Sequence, residues 1–475
     1  MINFENTYSQ LPEQFFQKTL PQGYQSPKLI AFNKSLADEL EINYQNVSES
    51  EMAAIFSGNK ILAGSDPLAM AYAGFQFGHP VAQLGDGRAH LLGETKGFDI
   101  QLKGSGQTRF SRRGDGKSAL GPVLREYLVS EAMHALGVPT TRALCAISTG
   151  EDILRQFGAE PGGVFTRVAA SHLRVGTFQY FFFQKDIESM KTLLDYTIDR
   201  HYPEISKSSN DRDKSLTLLK SLTLKQADLI AKWSGLGFIH GVMNTDNFSL
   251  AGITIDYGPC AFMDEFHFHK VFSSIDHHGR YSFWHQVPIA QWNILRLADC
   301  LLPLISEDQE EAINAVEEHL KPLQDEFKIR RLKEFARKLG IDDYQESDED
   351  LIMEFLNYLE KEDLDFTLSF RRLPKLYQDN LSGYPETPEL NSFLEKWKKR
   401  VSEEQVNKLD QVNPIYIPRN HQIQKAIDQA YKGDFEHFHL LHEVTKSPFI
   451  EKPEWNQFAL TPEQSEKVQH TFCGT

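Results

Sequence analysis

The stretch HGVMNTDNFSLAGITIDYGP, residues 240–259, limits what this chain can fold into more than any other part of it. Asn247 and Asp256 are oxygen ligands nine residues apart, and the SLAGITI run between them is apolar and β-branched. That pattern predicts a short hairpin that folds back and sets a carboxamide beside a carboxylate. Hard oxygen donors, few in number, suit Mg2+ or Mn2+, which keep waters and take their remaining ligands from phosphate. Alone, such a pair would read as a turn cap and the start of the next turn. The helical run SLTLKQADLIAKWSGLGFIHG leading into it, together with His240, Asp246 and Asp256-Tyr257-Gly258, favours the ligand reading.

His240 and Asn247 have the spacing of the kinase pattern H-R-D-x-x-x-x-N, and Asp256-Tyr257-Gly258 can stand for D-F-G. The position of the kinase base holds Val242 instead. A site of this kind needs a lysine on phosphate, held by a helix glutamate. In FDIQLK, Phe98, Ile100 and Leu102 alternate with Asp99, Gln101 and Lys103, so Lys103 lies on the polar face of a strand. In GPVLREYLVSEAMHALGVPT, Leu124, Leu128, Ala132 and Leu136 recur at helical spacing, and Glu126 and Ser130 fall on one side of the helix, away from that stripe. Strand lysine followed by helix glutamate is the kinase order, although either residue alone would be an ordinary surface charge.

Two glycine-rich turns flank Lys103: Gly85, Gly87 and Arg88 in LGDGR, and Gly114, Asp115, Gly116 and Lys117 in RRGDGKS. Glycine lets backbone N–H groups approach phosphate or base, while each Gly-Asp-Gly alone is a hairpin turn. A Walker reading of the second fails because Ser111 occupies the place of its first glycine, and KGSGQTR fails G-x-G-x-x-G at Arg109. Arg167 and Arg174, seven apart, sit on one side of a helix or across a turn, and both can fork onto phosphate. His267, His269, His277 and His278 follow the D-Y-G; a zinc site lacks a thiolate there, and a substrate-facing or structural loop fits better.

Length and charge narrow the rest. A chain of 475 residues exceeds one compact core, which predicts lobes or domains. A formal net charge of −16 argues against a nucleic-acid binder. No arginine precedes Arg88, and several then follow up to Arg174, which suits an anion site inside an acidic protein. Cys145, Cys260, Cys300 and Cys473 form no C-x-x-C. The N-terminus has neither a signal-peptide nor a transit-peptide pattern, and no apolar run reaches membrane-spanning length, so the expectation is a cytoplasmic protein off the membrane.

HLLGE (90–94) and FDIQLK (98–103), joined by a Thr95-Lys96-Gly97 turn, read as a hairpin, GGVFTRVAASHLRVGTFQYFFF as strand, connection and helix, and 205–215 as a polar loop. After residue 285 the pattern is mostly helical. The class is α+β: a bilobal, protein-kinase-like fold with a helical C-terminal extension. The expected divisions are an N-terminal extension to 80, a β-containing nucleotide-binding lobe over 81–165, a mainly helical lobe with the metal site over 166–400, and a helical region and tail over 401–475.

QLGDGRAHLLGE, QLKGSGQTRFSRRGDGKSAL, LREYLVSEAMHALGVPTTRAL, HGVMNTDNFSLAGITIDYGP, DHHGRYSF and NPIYIPRNHQIQKAI together resemble the selenoprotein O family of protein adenylyltransferases, which have a pseudokinase fold. The resemblance runs from about residue 65 to 445. It implies that ATP binds inverted relative to a kinase, with the γ-phosphate buried and the α-phosphate facing the acceptor. AMP would pass to a Ser, Thr or Tyr hydroxyl of a protein, with release of pyrophosphate; UMP transfer from UTP with manganese is also linked to the family. By motif, Lys103 would bind phosphate and pair with Glu126, and Gly85, Gly87 and Arg88 would line the nucleotide site. Asp115 and Gly116 would contact the inverted nucleotide, and Arg167 and Arg174 would hold its terminal phosphates. Asn247 and Asp256 would bind Mg2+ or Mn2+, and Asp246 would be the base. Family members carry a cysteine pair or a selenocysteine that tethers the C-terminal tail to the loop after D-Y-G; this tail has Cys473 alone, and that loop has none. Two other readings stay open: a γ-phosphate kinase with Asp246 as a displaced base, and a non-catalytic nucleotide-binding scaffold.

Overall fold

A computed structural model describes residues 1–155, 158–205 and 209–472. Its first half is built on an eight-stranded sheet. β1 (Phe16–Lys18), β2 (Lys28–Phe32) and β3 (Leu68–Met70) come from the first eighty residues, with α1 (Lys34–Glu39) and α2 (Glu49–Phe56) between the last two. A separate hairpin, β4 (Gly74–Gln76) and β5 (His79–Val81), precedes β6 (Ala89–Thr95) and β7 (Phe98–Lys103). β6 and β7 are joined through Lys96 and Gly97, both at positive φ, the two-residue turn that matches strand twist. β8 (Ser118–Ala119) leads into α3 (Leu120–Ala135), and the long hairpin β9 (Arg142–Arg155) and β10 (Gly158–Ala169) completes the sheet. The strand order is β1-β3-β6-β7-β10-β9-β2, every pair antiparallel, with β8 beside β10.

The two faces of this sheet are used differently. Ile100 and Leu102 of β7 point to the side covered by α1 and α2, where they join Leu144, Val164 and Val168 in one apolar cluster. Asp99, Gln101 and Lys103 point the other way and are buried as well. The alternation therefore assigned the faces correctly, but the polar face meets protein instead of solvent. Phe98, expected in the apolar set, is 40% exposed at the strand's start. α3 is likewise buried along most of its length, reaching solvent at His134 near its C-terminus. It lies between the sheet and helices Asn420–Ala430 and Glu436–Thr445, so Glu126 and Ser130 are buried along with its leucines.

The second half is mainly helical. α4 (Val175–Gln184), α5 (Ile187–His201) and α6 (Asp211–Leu236) precede β11 (Phe238–Ile239) and β12 (Ala261–Phe262), which pair antiparallel. α7 (Gln286–Ile305) packs on α6, and helices continue to Ala459. The polar loop expected over 205–215 is shorter, and residues 206–208 lie outside the described residues. Asn210 caps α6 by accepting from Asp213 N, so 211–215 are helical. The hairpin expected in SLAGITI does not form. The chain turns at Gly252, but Ser249 bridges to Arg174 and Thr254 to Thr140. Backbone groups of the run find partners in neighbouring segments, and the paired strands β11 and β12 bracket it from outside. Among the described residues no helix is long and apolar enough to cross a membrane.

Candidate active site

A cleft of about 860 Å³ lies between the sheet and the helical half. Gly85, Gly87, Arg88, Lys103, Asp115, Gly116, Arg167, Arg174, Asp246, Asn247 and Asp256 all line it. Glu126 stands one layer behind, with Oε2 accepting from Lys103 Nζ at 2.6 Å. Lys103 also pairs with Asp256, and Arg167 Nη1 reaches Glu126 Oε1 at 3.2 Å and Asp256 Oδ1 at 3.7 Å. Two cations thus face two carboxylates in a buried cluster, a geometry in which every member depends on the others. Burial opposes the charge on Asp256, but Lys103 and then Arg167 outweigh it and hold the carboxyl well below the usual range. Asp256 also sits at φ +70°, a strained conformation for a non-glycine residue, of the kind that clusters at functional sites.

Arg167 and Arg174 lie across a turn: one is in β10 and the other caps α4. Both are buried. Three residues that the motifs did not single out position Arg167. Gln101, its register partner across β7–β10, accepts from Nη2 at 2.7 Å. His172 Nε2 accepts from Arg167 Nε at 3.2 Å, and His172 Nδ1–H donates to Asp99 Oδ2 at 2.8 Å. That tautomer requires a neutral ring, and burial pushes the His172 pKa down to about 4. Asp99, pulled down to about 2 by Arg200 and His172 against its own burial, anchors the row. The signal was present in FDIQLK, whose polar face places Asp99, Gln101 and Lys103 in line. Arg174 packs its guanidinium over Tyr72 at 4.2 Å, and its Nη2 is buried with no hydrogen-bond partner.

The stretch 240–259 is held rigidly. His240 Nε2–H donates to Ile255 O, and its Nδ1 accepts from Val242 N, which ties the segments that carry Asn247 and Asp256 together. Trp233 stacks on the same ring. Asn244 Oδ1 accepts from Phe77 N and Tyr281 Oη. Asn247 donates its amide nitrogen to Val242 O at 3.1 Å, which leaves its Oδ1 as the available ligand atom. Asp246 is buried; Oδ2 receives one long bond from Gln76 at 3.4 Å, and Oδ1 has no partner. Burial raises its pKa to about 6, with Arg174 opposing. Such a carboxylate is suited to accept a proton near neutral pH.

The glycine turns form the cleft's other wall. A Cβ on Gly85 would lie 2.3 Å from the Phe110 ring, and one on Gly116, at φ +70°, 2.2 Å from Gly106 C, so only glycine fits either position. Asp115 is at the rim, exposed, with Oδ2 accepting from Arg155 Nη1 at 2.8 Å. Cys145, Cys260 and Cys300 are free and buried, and Cys473 lies outside the described residues. Among the described residues no group of three His, Cys, Asp or Glu could hold a metal ion. A cation here would rely on Asn247 and Asp256, with phosphate supplying further oxygens. The free Asn247 Oδ1 and the ionised Asp256 match that demand.

A strand lysine tied to a helix glutamate, with Asn247 and Asp256 in the same cleft and Val242 where a kinase carries its base, is the arrangement of a kinase-like cleft. The family described as protein adenylyltransferase SelO matches residues 1–446, and the chain belongs to it. Its two-part α+β architecture is that family's pseudokinase fold. A protein nucleotidyltransferase YdiU from Agrobacterium fabrum is 48% identical over the whole of both chains. Proteins of the same name from Maridesulfovibrio salexigens and Nitrobacter winogradskyi are each 46% identical, covering 100% of this chain and 99% and 96% of theirs.

Proposed function

We propose that this protein is a cytoplasmic adenylyltransferase that moves AMP from ATP to Ser, Thr or Tyr hydroxyls of other proteins. The observation that carries the reading is the buried Arg174, which lines the cleft beside Arg167 and whose Nη2 has no hydrogen-bond partner. Buried cations of this kind call for anionic partners, and a phosphate tail that enters first provides them. The α-phosphate then lies nearer Asp246. The acceptor hydroxyl oxygen attacks the α-phosphorus, the bond to the β-phosphate oxygen breaks, and pyrophosphate leaves. The hydroxyl proton passes to the Asp246 carboxylate. Lys103 grips phosphate while Glu126 holds it, Gly85, Gly87 and Arg88 line the nucleotide, and Asp115 and Gly116 close over it from the rim. Asn247 and Asp256 would hold Mg2+ or Mn2+, which would neutralise phosphate charge. UTP is the alternative co-substrate.

Intact-mass measurement after incubation with ATP or UTP, and with Mg2+ or Mn2+, tests this directly. Gain of one nucleotidyl group on an acceptor or on the enzyme is expected, with loss of the gain in Asp256→Ala. Gain of a phosphoryl group alone would favour a kinase, and no gain despite nucleotide binding would favour a scaffold.

A further inference from the structure

A second cavity, of about 580 Å³, opens beside the first and shares Phe77 and Ile275 with it. Its floor is apolar, with Phe77, Pro288 and Ile289, and Ile275 stands 52% exposed at the junction. Its polar groups include the Arg280 guanidinium and the imidazoles of His79, His277 and His278, while His285 Nδ1–H is already donated to Gly279 O at 3.0 Å. The carboxylate in the lining, Asp276, is occupied, accepting from Arg280 N at 2.9 Å and Tyr281 N at 2.8 Å. Arg280 packs on Trp292 at 4.9 Å, and its Nε is buried without a partner.

The hairpin β4–β5 connects this cavity to the candidate base. Gln76 donates to Asp246 Oδ2, Phe77 N donates to Asn244 Oδ1 and its ring packs on Tyr281 at 5.2 Å, and His79 lines the second cavity. Phe77 is held at φ +51°, a strained conformation fixed by these contacts. A polypeptide that presents a hydroxyl to Asp246 has this cavity as the adjoining place for its neighbouring side chains.

Building on the adenylyl-transfer reading, we infer that the second cavity is the acceptor-polypeptide site, and that it selects hydroxyls flanked by an acidic side chain. Arg280 receives the acidic group, with the imidazoles as further donors, and the apolar floor packs an adjacent aliphatic side chain. The chemistry at Asp246 is unchanged by this contact; what changes is which hydroxyl reaches it.

The test uses the full chain with ATP and two short peptides, each with one threonine, flanked in one by glutamates and in the other by lysines. Peptide adenylylation is followed by mass spectrometry, autoadenylylation is recorded in the same samples, and ATP affinity is measured by calorimetry. The glutamate peptide is expected to have kcat/KM about tenfold or more above the lysine peptide, the factor that ~1.4 kcal/mol represents. Arg280→Glu should reverse the preference while ATP affinity stays at the wild-type value, and His278→Glu should shift it in the same direction. Equal kcat/KM for the two peptides, an unchanged preference in Arg280→Glu, or autoadenylylation with no peptide modified would overturn the acceptor assignment alone. Absence of both peptide and self-modification, with ATP bound, would overturn the adenylyl-transfer reading and this inference with it.

Discussion

Replacing Asp246 with asparagine should make the protein more stable and nearly inactive. In the free protein the Asp246 carboxylate is buried, with one oxygen unpartnered and the other on a single long hydrogen bond. Its pKa is pushed up to about 6 by that burial, against the opposing pull of Arg174. An unfolded aspartate titrates near ~3.9, so about two units separate the states, and at ~1.36 kcal/mol each the ionised group costs the fold about 3 kcal/mol. Because the folded value is the higher one, this cost is complete above about pH 6, shrinks as the pH falls and is gone below ~3.9. Asparagine has nearly the same shape and no charge. Without metal or nucleotide, in EDTA at about pH 7.5, Asp246→Asn should be up to about 3 kcal/mol more stable in guanidinium unfolding, with the gain vanishing near pH 4. AMP transfer should fall by roughly 10²–10⁴, the usual worth of a general base, with ATP affinity kept. A variant no more stable than wild type near pH 7.5, or one that transfers AMP at the wild-type rate, would refute the reasoning.

Arg174→Ala should weaken ATP binding by about tenfold to a hundredfold, since a hydrogen bond to a charged group is worth ~1.5–3 kcal/mol. It should leave AMP affinity unchanged in calorimetry, because AMP lacks the terminal phosphates proposed to contact this residue. His90 is fully buried, and burial lowers its pKa to about 4. Its folded value lies below the unfolded one near ~6.5, so the unfolded chain takes up the proton first, and about 3 kcal/mol of stability is lost as pH falls from ~6.5 to ~4. His90→Asn should remove that part of the acid sensitivity, read as a smaller drop in unfolding free energy between about pH 7.5 and pH 4.5.

The parts of the site that rest on short-range patterns were legible in the sequence. The period of FDIQLK put Lys103 on the polar face, the helical spacing put Glu126 on α3, and the 240–259 stretch marked Asn247 and Asp256 for one cleft. What depends on long-range partners was not. Alternation tells which residues share a face, but not that the helical half covers that face; hence Asp99 and Gln101 were passed over and His172 was missed. SLAGITI has the composition of a hairpin, yet Ser249 and Thr254 pair with Arg174 and Thr140, which no local pattern reveals. Asp115 illustrates a third limit: its place in a glycine turn was clear, but its ion pair with Arg155 comes from the far end of β9.

The proposed inverted nucleotide turns its α-phosphorus toward the acceptor. Incubation of the protein with ATP labelled at either the α- or the γ-phosphate, followed by denaturing gel electrophoresis, tests it most directly. Protein-bound label is expected from α-labelled ATP only, with the γ-label released in pyrophosphate. Protein-bound label from γ-labelled ATP alone would contradict it.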